Sequence, residues 1–247
     1  MPVGVTAVSL SVLFGALIGA YLGNKIPERL RITLPLIFGL ASMGMGVNFI
    51  VKLKILPAVI LSLVVGTAIG ELINLEKIIE RAGNSVRGPV EKLFSPKGTG
   101  ESAAALSADS QKEFMNKFIA IVILFCASGT GLFGALTEGM TGDPTILLTK
   151  SILDFFTAAI FATALGYIVA TVAIPQFIIF LVLFFSAALI LPATTPGMIA
   201  DFTACGGMIM LATGFRLSGI KPFPTANMLP ALVIVMPISY LWVKFIH

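Results

Sequence analysis

Lys150 and Asp154 are the residues of this 247-residue chain whose types and spacing best suit chemistry. They stand four residues apart, so they share one face of a helix. A charge near the middle of a bilayer costs about 2.5–3.5 kcal/mol or more, and membrane proteins that keep one commonly pair it and use it. The pattern favours a carboxylate that binds a proton or ion and is balanced by the lysine. A structural ion pair, or a lysine that reaches the headgroups, is the open alternative.

The depth of this pair follows from the start of its helix. Asp143 followed by Pro144 predicts an N-cap and a proline at the first helical position. At the α-helical rise, Lys150 then lies roughly 10 Å and Asp154 roughly 16 Å along the axis. Asp154 is therefore expected near the middle of a hydrocarbon core about 30 Å thick.

A second polar stretch, Cys126-Ala-Ser-Gly-Thr-Gly131, falls in the middle of an apolar segment. Its two closely spaced glycines weaken a helix, and the hydroxyls of Ser128 and Thr130 can satisfy freed backbone groups. The stretch could therefore be unwound, with carbonyl groups facing a substrate or cation. Close packing of helices through small residues is the alternative.

The remaining candidate binding residues lie near predicted helix ends. Glu138 and Asp143 flank an acidic, glycine-rich turn, Glu71 ends the third apolar segment and Asp201 opens the seventh. A solvated or capping role is ordinary for Glu71 and Asp201, and Asp201 could cap its own helix. The turn with Glu138 and Asp143 is expected to form a mildly electronegative outer mouth. Asn48 is expected to form a hydrogen bond with a neighbouring helix.

The sequence lacks the motifs that several classes of function require. Cys126, Cys205 and His247 have no metal-ligand spacing, so we expect structural thiols, no metal site and no cofactor. A nucleophile elbow, an H-E-x-x-H motif and a P-loop are absent, so we do not expect an enzyme. A basic groove for nucleic acid is absent as well.

Composition indicates the elements that position these residues. The chain is 57% hydrophobic and only 11% charged, whereas soluble domains are about a quarter charged. It is predicted to be an all-α, polytopic transmembrane helical bundle. The apolar runs give eight spans: Val3–Gly23, Ile32–Val51, Ile55–Ile73, Phe118–Leu136, Ile146–Val169, Ile174–Leu191, Ile199–Leu217 and Met228–Ile246.

These spans form one integral membrane domain with four parts. Residues 1–73 are predicted to be a three-helix unit, and 114–247 a five-helix unit. Between them, 74–94 has apolar residues at helical spacing among charges, which predicts an amphipathic cytoplasmic helix bent at Gly88-Pro89. The small, polar stretch 95–113 is predicted to be a flexible linker.

A weak internal repeat relates the two units. Pro27, Gly39, Gly46 and Leu56-Pro57-Ala58 match Pro196, Gly207, Gly214 and Leu229-Pro230-Ala231. Spans 1–3 would then correspond to spans 6–8 in opposite orientation, an inverted-topology repeat typical of secondary transporters. Chance similarity between glycine-rich apolar helices is the alternative.

The basic residues predict the orientation. With the N-terminus outside, cytoplasmic loops hold 12 lysines and arginines and the outside keeps 4. The positive-inside rule therefore places both termini outside the cytoplasm.

Five stretches of the sequence resemble one family: LPLIFGLASMGMG, LFCASGTGLFGALTEGMTGDP, LLTKSILDFFTA, TTPGMIADF and GGMIMLATGFRLSGIK with NMLPAL. They are similar to the YqgA-like branch of the bacterial membrane proteins grouped as domain of unknown function 554. The resemblance covers nearly the whole chain except the linker after Phe94. It implies a bacterial inner-membrane location, and it brings no activity and no site residues.

The residues together favour a secondary transporter of a small solute or ion, with protons or cations as the candidate coupling ions. A non-transporting structural or regulatory assembly protein and a channel-like pore are the alternatives. The expected partners are the lipid bilayer, a small solute or ion and further copies of the chain in a homo-oligomer.

Overall fold

The computed structural model describes residues 1–23, 27–85 and 108–246, and within them the chain is helical. This confirms the predicted all-α class. The α-helices are α1 (Val3–Leu22), α2 (Glu28–Ile50), α3 (Leu56–Leu72), α4 (Leu75–Ser85), α5 (Ala108–Cys126), α6 (Gly129–Thr141), α7 (Thr145–Leu165), α8 (Ala173–Ile190), α9 (Pro196–Leu217) and α10 (Pro230–Ile246).

Five helical stretches in the described residues are long and apolar enough to cross a membrane. They are Val3–Leu22, Ile32–Ile50, Lys117–Thr141, Thr145–Ala193 and Pro196–Leu217. The fourth stretch spans 49 residues because a 3-10 turn, Gly166–Val172, joins α7 to α8. α3 and α10 are apolar but only 17 residues long. The count of eight spans therefore stays a prediction.

The predicted span Phe118–Leu136 is not one continuous helix. α5 ends at Cys126, and α6 begins two residues after Ala127. Ser128 adopts extended backbone angles (φ −68°, ψ 133°), and its hydroxyl accepts a hydrogen bond from the Gly131 N–H at 3.2 Å. A serine N-cap beside two glycines favours a new helix start over continuation, which is why the helix breaks here.

The break also lies between two clusters of buried apolar side chains. Phe125 and Cys126, at the end of α5, belong to a cluster with residues of α1 and α7. Phe133 of α6 belongs to a second cluster with residues of α3, α9 and α10, and its ring centroid lies 5.4 Å from that of Phe202. The interrupted helix therefore connects the two clusters.

Glycines allow several helices to pack closely in pairs. Gly15 and Gly19 of α1 lie against the backbone of α7 at Phe155 and Ala159. Gly139 of α6 lies in the same way against the backbone of α8. Any side chain at these positions would meet the backbone of the neighbouring helix, so the pairs depend on the missing Cβ atoms.

α2 and α9 cross through two reciprocal glycine contacts. A Cβ atom on Gly46 would lie 2.6 Å from the carbonyl oxygen of Gly207, and one on Gly207 would lie 2.7 Å from that of Gly46. Gly39 and Gly214 meet likewise, at 2.8 and 2.6 Å. The two helices are therefore antiparallel, and the glycines that the sequence repeat equates lie at one interface.

The segment between the predicted units, which the sequence predicts to be cytoplasmic, is only partly described. Residues 86–94 of the predicted amphipathic helix, including Gly88-Pro89, lie outside the described residues, as do 95–107 of the linker and His247. α5 begins at Ala108, five residues before the predicted end of the linker. Alanine, glutamine, lysine and glutamate in that stretch favour helix, so the polar composition was a poor guide to its end.

Candidate functional site

A cavity of about 240 Å³ lies beside the helix break. Side chains of α2, α5, α6, α7 and α9 line it together with Ser128, whereas in the described residues α1, α3, α4, α8 and α10 do not. Most of the wall is apolar. Its polar groups are Ser42, Ser128, Thr130, Lys150, Asp154, Thr157 and Thr213.

Lys150 and Asp154 of α7 form an ion pair on the cavity wall. The ammonium nitrogen lies 2.6 Å from each carboxylate oxygen, and the residues are only 5% and 6% exposed. The ammonium also lies 5.9 Å from the centroid of the Phe125 ring, within reach of a cation–π attraction. The structure thus brings together the two residues that their spacing placed on one helix face.

Gln176 of α8 completes the surroundings of the carboxylate. Its Nε2 donates to Asp154 Oδ2 at 3.0 Å and to the Phe125 carbonyl oxygen at 3.4 Å, and the side chain is fully buried. Its Oε1 has no hydrogen-bond partner in the described part of the chain. Gln176 is not among the binding residues predicted from the sequence. A polar amide within the apolar run Ile174-Pro-Gln-Phe-Ile was the signal that could have indicated it.

The break supplies the hydroxyls of Ser128 and Thr130 to the same wall. Ser42 donates to the Met210 carbonyl oxygen at 2.9 Å, so Thr130, 3.5 Å from the Ser42 oxygen, is the donor of that pair. As at any helix start, the N–H groups of Gly129 and Thr130 have no acceptor within α6. The partly positive start of α6 and the partly negative end of α5 therefore meet beside the cavity.

A second cavity of about 150 Å³ adjoins the first. The two share the side chains of Leu124, Ser128, Thr213 and Leu217 as lining. Glu76 and Arg216 also line the second cavity, and their carboxylate and guanidinium groups approach to 2.6 Å. A line of small spaces thus extends from the buried ion pair toward a second, partly exposed ion pair.

Asn227 strengthens the position of this second pair. Its Oδ1 accepts a hydrogen bond from the Glu76 N–H at 2.8 Å, while Arg216 Nη1 donates to the Phe223 carbonyl oxygen at 3.3 Å. The start of α4 is therefore tied by its backbone to the connection between α9 and α10, and by the Glu76 side chain to the end of α9.

Glu138 lies away from the cavity and caps α1. Its carboxylate accepts hydrogen bonds from the N–H groups of Gly4 at 2.8 Å and Val5 at 3.2 Å. The sequence placed it in an exposed turn, but α6 continues to Thr141 and buries the side chain. The first N–H groups of a helix carry partial positive charge, so a carboxylate there is stabilising.

Asp201 also holds a helix start, although not that of its own helix. Its Oδ1 accepts from the N–H groups of Lys54 and Ile55, both at 2.9 Å, and its Oδ2 accepts from the Ser239 hydroxyl at 2.6 Å. α9 begins at Pro196 with Thr195 as its N-cap, so Asp201 stands inside that helix. The expectation that Asp201 caps its own helix is therefore wrong.

Asp143 lies on the surface outside the cavity, as do Asn48 and Glu71. Asp143 Oδ1 accepts from the Thr145 N–H at 3.0 Å, and hydrogen bonds from Thr145 hold the pKa of this carboxyl below its usual value. α7 begins at Thr145 with Pro144 at the N-cap, one position later than predicted. Of the nine predicted binding residues, the cavity therefore gathers Ser128, Thr130, Lys150 and Asp154.

Comparison with known proteins identifies the family. The family model "Protein of unknown function (DUF554)" matches residues 3–240. The chain is 49% identical over 232 residues to "Uncharacterized protein YqgA" of Escherichia coli (strain K12), covering 94% of each chain. It is 27% identical over 230 residues to "Uncharacterized membrane protein YdfK" of Bacillus subtilis (strain 168), covering 92% of this chain and 90% of that one. No solved structure matches. The family expected from the sequence motifs is confirmed, and this chain belongs to the DUF554 family.

Proposed function

We propose that this chain is a secondary transporter that moves a small solute or ion through the cavity beside the α5–α6 break. Asp154 binds the coupling proton or cation, and Lys150 balances the carboxylate when that site is empty. Neither enzyme chemistry nor a cofactor is part of the proposal.

One observation carries it: a discontinuous helix and a buried ion pair line the same cavity. Broken helices at membrane depth are tolerated where they line a cavity, and transporters use their ends to hold ions and polar substrates. A purely structural ion pair is a poor source of stability, because desolvating two charges offsets much of their attraction. The burial of both charges beside open space therefore favours a working site.

The α2–α9 interface supports a mechanism of alternating access. The repeat equates Gly39 with Gly207 and Gly46 with Gly214. Exchanging the copies converts the Gly39–Gly214 contact into the Gly207–Gly46 contact, as expected for a twofold axis between them. We propose that spans 1–3 and 6–8 are inverted copies that rock about this interface.

The proposal includes a bacterial inner-membrane location, with the N-terminus outside and a homo-oligomer in the bilayer. In this orientation the Glu76–Arg216 pair lies on the cytoplasmic side. Cysteines placed at the N-terminus and in the stretch 95–111 test the orientation with an impermeant reagent. Labelling of the second site from outside the cell would contradict it.

A structural or regulatory assembly protein is the second candidate. The buried carboxylates of Glu138 and Asp201 favour it, because each serves only to hold the start of another helix. If Lys150 and Asp154 had the same kind of role, the chain would contain no transport site. A channel-like pore is the third candidate, and it would pass ions without coupling.

Flux measurements in liposomes separate these candidates. Purified full-length protein is reconstituted, and uptake of a panel of small solutes is measured with and without a pH gradient. We expect one solute to accumulate against its own gradient in wild type and not in Asp154→Asn. Asp143→Asn, an exposed carboxylate outside the cavity, is the matched control and should transport normally. Flux that ignores the gradient would favour the pore, and no flux for any solute would favour the assembly protein.

A further inference from the structure

We propose that the cavity binds a small monovalent carboxylate anion, and that Asp154 takes up one proton for each anion bound. This inference rests on the proposed function and names its substrate class. It is carried by the donors on the cavity wall, by the charge balance of the ion pair and by the size of the cavity.

The hydroxyls of Ser42, Thr157 and Thr213 already donate to backbone carbonyl oxygens, so the free donors of the wall are few. They lie at the helix break and at Lys150. Ser128 accepts from Gly131, which leaves its own hydroxyl hydrogen free to donate. The N–H groups at the start of α6 lack acceptors within their helix, and Lys150 carries up to three donor hydrogens. The one carboxylate on the wall, Asp154, already accepts from Lys150 and Gln176. Such a set suits a ligand that brings its own carboxylate oxygens.

Charge balance then requires a proton. Lys150 and Asp154 together are neutral, so a bound anion would leave one uncompensated negative charge in a desolvated space. When Asp154 takes up a proton from solvent, its O–H replaces the carboxylate, and the Lys150 ammonium is free to pair with the anion. The occupied cavity is neutral again. One proton and one monovalent anion then cross together, with no net charge moved.

The groups that surround Asp154 determine whether it can take up this proton. Among the described residues, Lys150 on its own helix is the charged group paired with Asp154, and the buried Cys126 thiol of α5 lies nearby. α2, α8 and α9 contribute Ser42, Gln176 and Thr213, which carry no charge. Asp154 is therefore the group whose protonation can release Lys150.

Size and apolar lining narrow the class of anion. The volume of about 240 Å³ is below the roughly 300–1,000 Å³ of sites that enclose drug-sized ligands. Phe38, Phe125 and Phe161 form much of the wall and offer nothing to a hydrated inorganic ion. They do fit the short carbon chain of a monocarboxylate, whose apolar part gains from burial.

The test is calorimetric binding of propionate to purified full-length protein. Propionic acid crosses bilayers unaided, so binding is a cleaner readout than uptake. Titrations in two buffers of different ionisation enthalpy give the number of protons taken up. We expect one proton per propionate, and an affinity that falls about tenfold per pH unit at high pH, because one proton is linked to binding. Nitrate and propylamine should bind far more weakly.

Variants identify the groups responsible. Asp154→Asn leaves Lys150 without its carboxylate, so it should bind propionate with no proton uptake and little dependence on pH. The double variant Lys150→Met with Asp154→Asn keeps the cavity neutral, which favours folding, and should lose propionate binding. Asp143→Asn should bind as wild type does.

Each contrary result has a distinct meaning. Propionate binding without proton uptake in wild type, or unchanged binding in the double variant, would overturn the inference. Preference for propylamine or nitrate would also overturn it, while leaving transport itself open to the flux test. Propionate binding as expected, with no coupled flux of any solute, would uphold the site and refute the transporter.

Discussion

The ammonium nitrogen of Lys150 is equidistant from the two carboxylate oxygens of Asp154, at 2.6 Å from each, one turn apart on α7. Both residues are almost fully buried, so water cannot stabilise one charge when the other is removed. The stability of each residue therefore depends on its partner more than on its own contacts.

We expect Lys150→Met to destabilise the protein by about 3–5 kcal/mol, because it leaves a buried carboxylate without its counter-charge. Adding Asp154→Asn should restore most of that loss, since neither charge remains. Melting temperatures of wild type, both single variants and the double variant measure the coupling. Additive effects of the two changes would show that the residues are not paired.

Close packing of α2 on α9 should make Gly46 intolerant of a side chain. Gly46→Ala places a Cβ atom 2.6 Å from the Gly207 carbonyl oxygen, and we expect a loss of about 1–3 kcal/mol. Gly44 is the matched control on the same helix, because a Cβ atom there meets nothing within 4 Å. Gly44→Ala should be neutral or stabilise by up to about 1 kcal/mol through helix propensity. Equal effects at both positions would contradict the interface.

Removal of the α1 cap should affect stability and not transport. Glu138→Ala removes the acceptor of the Gly4 and Val5 N–H groups, and we expect a cost of about 1.5–3 kcal/mol. Glu71→Gln, at an exposed position on α3, should leave the melting temperature unchanged. Flux per folded molecule should equal that of wild type in both variants. A selective loss of flux in Glu138→Ala would instead place Glu138 in the transport path.

The all-α class and the positions of the apolar helices could be predicted from the sequence because they follow from local composition. Lys150 and Asp154 could be paired for the same reason, since four residues on one helix fix their geometry. Gln176 could not be assigned to them. It stands 22 residues further on, and only the packing of α8 against α5 and α7 brings it to the carboxylate.

Glu138 and Asp201 are two residues whose partners could not be predicted from local sequence. The sequence predicted an exposed acidic turn for Glu138 and a cap on its own helix for Asp201, whereas each carboxylate holds the start of another helix. Their partners, however, lie 134 residues away at Gly4 and 147 residues away at Lys54. No local pattern connects residues at such separations, so the choice between an exposed turn and a buried cap required the tertiary structure.

Acidification should weaken the start of α7. The pKa of Asp143 is lowered in the folded protein, first by hydrogen bonds from Thr145, so its stabilising effect is present above the unfolded pKa of about 3.9. That effect is lost as the pH falls through the lower, folded value. Wild type should be slightly more stable than Asp143→Asn at pH 6, and the two should converge once the pH falls below the folded pKa of Asp143. A constant difference across this range would contradict the assignment.

The Glu76–Arg216 pair is expected to restrict access to the cavities. Thr213 lines both cavities, so Thr213→Cys, in a chain with Cys126 and Cys205 replaced by alanine, reports entry of a water-soluble maleimide. In inside-out vesicles, Arg216→Gln should raise the labelling rate several-fold, because α4 loses its ion pair with the end of α9.

Two further variants make this test specific. Exchanging the charges, Glu76→Arg with Arg216→Glu, should return labelling toward the wild-type rate, since an ion pair can form again. Lys221→Gln removes an exposed charge from the same connection and should change nothing. If Lys221→Gln raised labelling as much as Arg216→Gln, general loss of positive charge would explain the effect and the pair would not be a barrier. If the exchanged pair stayed as open as Arg216→Gln, the contact between these two side chains would not be what closes the path.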